Sequence, residues 1–328
     1  MTHSASARTV VSLLAFAVAL GALGCKGKSL SLDSGTDGEG DGSGSGGGGE
    51  EGVVWDDLHL ESSVTLTGGF ASGAGFYTTG EDGEVYVRSE GEWSAQGVDA
   101  DEPLNGIWGM RTGEVSVAVA VGDGGTVARL DEFGWVVSQE LNTANMESVD
   151  SADGSVSVSV GWGGAYVTDG SASWAFQAID NNPQFNSVWT DGTTIVAVGQ
   201  DGVIATTRGG DWTVENLPSR VALNGIGGLS VEDLWAVGVD GTVLHKTTGD
   251  WEEVDIGTGA TLWDVEAIAT DQVYIVGNNG FAVRHDGTSA TELPTGIDNN
   301  LYDITSSSSG VVWAVGNRGA TLRLQSGD

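Results

Sequence analysis

The chain of 328 residues contains one cysteine, four prolines and three lysines. A single cysteine excludes a disulfide framework. Only 12 Lys and Arg stand against 46 Asp and Glu, a formal net charge of −34. Without clustered cations to neutralise phosphates, nucleic-acid binding is excluded. Helix signals are also missing: no segment shows caps followed by apolar residues at 3.6-residue spacing. What is abundant is glycine, with 54 residues, and tryptophan, with 12. With 39% hydrophobic residues, the chain has enough apolar surface to fill a core, which excludes wholesale disorder. Glycine interleaved with β-branched residues points to strands and tight turns.

The first 24 residues read as an address. Arg8 precedes an apolar or small run, Thr9 to Gly24, which is shorter than the roughly 20 residues of a membrane-spanning helix and suits a secretory signal peptide. The run ends at Cys25. Ala22-Leu23-Gly24-Cys25 resembles the bacterial lipobox, with Ala22 where that pattern has leucine. The resemblance implies cleavage before Cys25, lipid attachment at Cys25 and residence in the bacterial cell envelope. The same resemblance implies that Lys26, in place of an Asp, favours the outer over the inner membrane. Residues 25–52 are then a lipid-anchored tether of Gly, Ser and acids, too polar to order itself, with a reach of roughly 30 Å.

Residues 53–328 repeat. A short apolar run followed by Gly-x-x-Gly, or a close variant, begins its turn at Gly80, Gly122, Gly161, Gly199, Gly238, Gly277 and Gly316, in steps of 42, 39, 38, 39, 39 and 39. A period near 40 built from strand-like segments is the signature of propeller blades. The fold class is therefore all-β, a seven-bladed β-propeller of four-stranded blades. Each unit opens its first strand on a large apolar residue: Leu66, Leu104, Met146, Phe185, Leu223, Leu262 and Leu301. The second strand ends in the glycine turn. The fourth usually starts with tryptophan, at Trp93, Trp135, Trp174, Trp212 and Trp251. The last unit stops after its third strand, whereas Trp55-Asp56-Asp57-Leu58-His59-Leu60 has the pattern of a fourth strand. The N-terminal strand is expected to complete the last blade, which removes an exposed sheet edge.

Units such as Leu234 to Trp251, of the form WAVGxxGTVLxxxxGxW, resemble those of bacterial propellers with YCF48-like or BNR-like repeats, in the wider WD40/YVTN/BNR-like superfamily. The likeness covers about residues 53–328. It implies the propeller fold, and among functions it suggests an assembly factor for a membrane complex. Propellers host unrelated tasks, so function must come from the residues of a site.

Few residues present themselves. Trp162 lies inside a glycine turn and is a candidate exposed aromatic. Seven residues after the turn glycine stand Arg129, His245, Arg284 and Arg323, with Arg88 and Lys246 one further on; they form either a cationic ring for an anionic ligand or a set of local ion pairs. Asp264 and Asp303 replace the small residues Gly68, Gly106, Ser148, Ser187 and Gly225 of the other units. At the propeller axis two carboxylates would share a divalent cation such as Ca²⁺ or bond to backbone. No other cofactor is expected. The sequence has no GxSxG, no HExxH and no His pair at ligand spacing, so no catalytic residue is assigned. From residue 53 onward there are 40 acids against 9 bases, a charge of −31 that repels nucleic acid and anionic lipid. The sequence thus reads as an envelope-tethered, non-enzymatic, monomeric module for a protein or glycan partner, with membrane contact through the lipid anchor only. A sialidase- or glycosidase-like propeller enzyme is the alternative.

Overall fold

The computed structural model describes residues 54–325, apart from 73–74, 113–114, 140, 142–143 and 170–172. The leader over 1–24, Cys25 and the tether lie outside the described residues. Twenty-eight strands form seven four-stranded antiparallel sheets. Blades 1 to 6 span 66–95, 104–139, 146–178, 185–216, 223–253 and 262–292, and blade 7 joins 301–325 to 54–57. The first strands of successive blades touch one another, and that of blade 7 returns to that of blade 1. They therefore line the axis of a closed ring.

The repeat positions read from the sequence explain this arrangement. The seven large apolar residues that open the units are the first residues of the inner strands, and all are fully buried. The second strands end at the seven turn glycines. That glycine is required by close approach: a Cβ on Gly122 would stand 1.9 Å from the Pro103 carbonyl oxygen, and one on Gly316 1.8 Å from that of Asn300. Two residues later the turn enters the left-handed region, with φ of 56° at Asp240 and 57° at Asn279, where Asp, Asn and Gly are best tolerated.

The hydrophobic residues divide into seven clusters, one at each interface between blades. Trp93, Trp135, Trp174, Trp212 and Trp251 each pack on the cluster shared with the preceding blade. Their recurrence is blade packing. The seam forms as the repeat arithmetic requires. Val54–Asp57 pairs antiparallel with the last strand, Trp55 opposite Leu324 and Asp56 opposite Arg323. Leu58 and Leu60 continue the ladder through N–H bonds of 2.8 and 2.9 Å to Thr321 and Gly319. Trp55 is buried in the interface of blades 6 and 7, and Leu60 in that of blades 7 and 1.

Candidate functional site: the axial channel

Every inner strand shifts register between its first and third residues. Such bulges re-aim side chains, and here they turn the second and third residues toward the axis. The second residues, Thr67, Asn105, Glu147, Asn186, Asn224, Trp263 and Tyr302, surround a narrow cavity of about 110 Å³ at one end of the channel. Four of them stitch blades together. Thr67, Asn105, Asn186 and Asn224 donate to the carbonyl of the next blade's first residue at 2.6, 3.0, 2.8 and 2.8 Å. Trp263 and Tyr302 meet edge to face at 5.2 Å.

Toward the other end the channel widens to about 400 Å³. Four carboxylates line it: Asp264 and Asp303 at the third position of their strands, and Asp150 and Glu266 two residues further along. Each reaches across to the next blade. Asp264 accepts the Ile304 N–H at 3.1 Å, Asp150 accepts the Thr190 N–H at 2.7 Å, and Glu266 accepts the Ser306 hydroxyl at 2.5 Å. Asp303 accepts the N–H of Gly69 across the seam between blades 7 and 1, and its Oδ2 has no hydrogen-bond partner.

These contacts orient the acids but do not offset their desolvation. Burial pushes the Glu266 carboxyl up to about 7, with the charge of Asp150 adding to the rise. Burial likewise lifts Asp150 to about 6 against the two backbone N–H bonds that favour its charge. Asp264 and Asp303 sit on adjacent blades and repel one another, so both lie well above the usual carboxylate range, through burial first and then their acidic neighbours. Near neutral pH the wide end therefore holds carboxyl groups poised between neutral and charged. Trp108 and Trp189 stand in the same wall. A cation entering this space would displace protons and gain carboxylates in a partly dehydrated cavity.

The residues singled out from the sequence fall in different places. Asp264 and Asp303 line the same cavity on adjacent blades. Their carboxylates are engaged by backbone N–H groups, and among the described residues no three His, Cys, Asp or Glu side chains stand close enough to hold a metal ion. Trp162 is exposed and bridges to Gln184, at the end of the inner strands opposite the wide cavity. The cationic ring does not form. Arg129, Arg284 and Arg323 pair through the second strands with the rows of Trp108, Glu266 and Thr305. They share the height of the wide cavity but stand two strands, about 10 Å, outward from it. Each is held locally. Arg129 lies 5.7 Å from the Trp174 ring, Arg284 donates to the Asp271 carbonyl at 3.3 Å, and Arg323 pairs with Asp56 at 2.5 Å and covers Trp313. His245 stacks on Trp235 and bonds Asp233 at 2.8 Å, while Lys246 lies over Trp251 and Arg88 over Trp93.

Asp150 and Glu266 were missed by a reading that stopped at the third position of each unit. The period of two along a strand carries the signal: the fifth positions are Phe70, Trp108, Asp150, Trp189, Gly227, Glu266 and Thr305.

Comparison with solved structures supports this architecture. YCF48 from Cyanidioschyzon merolae superimposes with a TM-score of 0.69 at 18% identity, covering 83% of this chain and 99% of its own. A structure of YCF48 bound to D1 peptide gives 0.67 at 16%, covering 83% of this chain and 97% of its own. A streptogramin B lyase gives 0.69 at 13%, covering 85% and 99%. At these identities the likeness is one of fold. No protein-family model and no curated protein sequence matches the chain.

Proposed function

We propose that this chain is a non-catalytic binding module, tethered to the cell envelope through Cys25, that holds a cationic segment of a partner protein in the wide end of its axial channel. The observation that carries the reading is the convergence of Asp150, Asp264, Glu266 and Asp303 on one cavity of about 400 Å³. Two features of the molecule favour a peptide with Lys or Arg. The domain's charge of −31 steers cations toward it, and Trp108 and Trp189 in the channel wall offer ring faces to them. That a propeller of the same fold, YCF48, has been solved with D1 peptide bound supports a protein partner over a glycan. The tether of 27 residues after Cys25 gives the domain roughly 30 Å of freedom from the anchor, which suits capture of a partner at a membrane surface.

The test is direct binding. A lysine-rich peptide should bind the purified domain, weaken as salt rises, and lose at least tenfold in affinity with the isosteric pair Asp150→Asn and Glu266→Gln. A glutamate-rich peptide of equal length should not bind. Equal affinity of parent and double variant would sink the proposal. A second reading uses the same acids. Glycoside hydrolysis requires one carboxyl group held protonated beside a second that is ionised, a pairing that Glu266 and the less raised Asp150 could supply, and one fold neighbour is a lyase. Release of reducing sugar from envelope glycan by the parent, lost in both single variants, would favour the enzyme.

A further inference from the structure

The outer strands of the seven blades are guarded unequally. Those of blades 1, 4, 5, 6 and 7, namely Glu92–Ala95, Thr213–Asn216, Trp251–Glu253, Ala290–Glu292 and Val54–Asp57, each contain at least one Asp or Glu. Charged side chains on an edge strand discourage pairing with another chain. The adjacent blades 2 and 3 break this rule. Their outer strands, Gly134–Gln139 and Ala175–Ala178, have the sequences GWVVSQ and AFQA with no charge at all. Of the seven exposed large hydrophobic residues among the described residues, Val136, Val137 and Phe176 belong to these two edges and Phe133 stands in the turn just before Gly134. Phe133 is 88% exposed. Blade 2 also has the longest outer strand, six residues against three or four elsewhere.

We propose that the outer strand of blade 2 is a strand-addition site, a second interaction surface independent of the axial channel. An edge strand directs alternate N–H and C=O groups outward, so an extended segment can continue the sheet and seat its side chains against the exposed ones. Val136 lines a groove of about 490 Å³ between blades 2 and 3, together with Leu130, Trp108 and Trp174. An added strand lying along the edge would place apolar side chains toward that groove on one face and toward Val137 on the other. Charge selects the occupant. Asp131 and Glu132 flank the strand at the exposed turn, so the fitting segment has alternating apolar residues and Lys or Arg at the end nearest that turn. A second copy of this chain is a poor occupant, because each domain brings a charge of −31 to a contact with no cation in either edge strand.

The experiment uses the whole domain from residue 53 onward and a ten-residue peptide of alternating valine and threonine flanked by lysines. Amide hydrogen exchange is followed across the chain, with sedimentation velocity beside it. The expected result is slowed exchange over 134–139, no such effect from a peptide with a central proline or with glutamate flanks, and a loss of at least tenfold in affinity with Val137→Lys. The exposed position of Val137 allows that variant to fold, and an unchanged melting temperature checks it. Because the readout lies on the rim, Asp150→Asn with Glu266→Gln should leave it unchanged. Protection absent from 134–139, binding indifferent to Val137→Lys, or a dimer that Val137→Lys dissolves would each overturn the proposal.

Discussion

Blades 1 and 2 meet at the axis through glycine, whereas blades 6 and 7 meet through acids. At the third position of the inner strand, a Cβ on Gly68 would stand 3.2 Å from the Ile107 nitrogen and one on Gly106 3.1 Å from the Glu147 carbonyl. Those strands are joined by backbone proximity. At the same repeat position Asp264 and Asp303 span to the next strand with a carboxylate. Both solutions connect one strand to the next, but only the second brings like charges into a confined space. Glycine at every blade would close the ring without that repulsion. The acids are thus where the repeat departs from pure packing, and such departures are expected at functional sites.

The largest effect separates the seam from the tether. Deleting residues 53–60 removes Trp55 and Leu60 from two interface cores and uncovers the last strand. At about 1.5–3 kcal/mol for each large buried side chain, plus a strand of hydrogen bonds, the loss takes a large part of a typical total of about 5–15 kcal/mol. Thermal unfolding should show early melting or aggregation, while deleting 26–50 should leave the melting temperature unchanged. Equal melting of both would refute ring closure.

Next is an attempt to convert one kind of interface into the other. In Gly225→Asp the new Cβ would stand 2.7 Å from the Asp264 Cα and the Trp263 carbonyl, with one more carboxylate in the channel. We expect a loss of about 1–3 kcal/mol by denaturant titration, the range of overpacked cores. A variant as stable as the parent would show that the glycine approach is not required.

The reverse exchange is predicted to stabilise. The acids of the wide end have their proton affinity raised by folding, to about 6 at Asp150, to about 7 at Asp264 and Glu266 and upward at Asp303, so the native state binds more protons than the unfolded chain from about pH 4 up to these raised values. Their contribution to stability is therefore greatest at low pH and falls as pH rises through that window. Asp303→Asn keeps an oxygen for the Gly69 N–H and removes one charge. It should raise stability at pH 8 by on the order of 1–3 kcal/mol and change it little at pH 5. Melting curves at the two pH values decide; destabilisation at pH 8 would mean that the acids are purely structural. The smallest effect is expected at Trp162, which lies at the far end of the channel. Trp162→Ala should leave the affinity for a lysine-rich peptide within twofold in an anisotropy titration.

How much of this was readable from the residues follows the repeat. Blade number, the inner-strand starts, the glycine turns and the seam all recur at a fixed spacing, and a recurring position declares its role by repetition. Asp264 and Asp303 stood out because they broke a recurring pattern of small residues. Asp150 and Glu266 did not, since the fifth position is Phe, Trp, Asp, Trp, Gly, Glu and Thr in turn and has no background against which an acid is anomalous. For the arginines the residues alone left two arrangements open, a cationic ring and local pairs. Their places on the third strands of blades 2, 6 and 7 put them at mid-radius, where each finds a local aromatic, carbonyl or carboxylate. Their sequence spacing fixes height along the blade, and only the strand order sets distance from the axis.

The central claim is that the axial acids receive a cation in exchange for protons. Calorimetric titration of a lysine-rich peptide at pH 6.5, repeated in buffers of different ionisation enthalpy, measures the protons released on binding. A net release is predicted, since the bound cation draws Glu266 and Asp150 toward their charged forms, and it should shrink in the Asp150→Asn, Glu266→Gln pair. Binding with no proton release, or release that the pair leaves unchanged, would contradict the account.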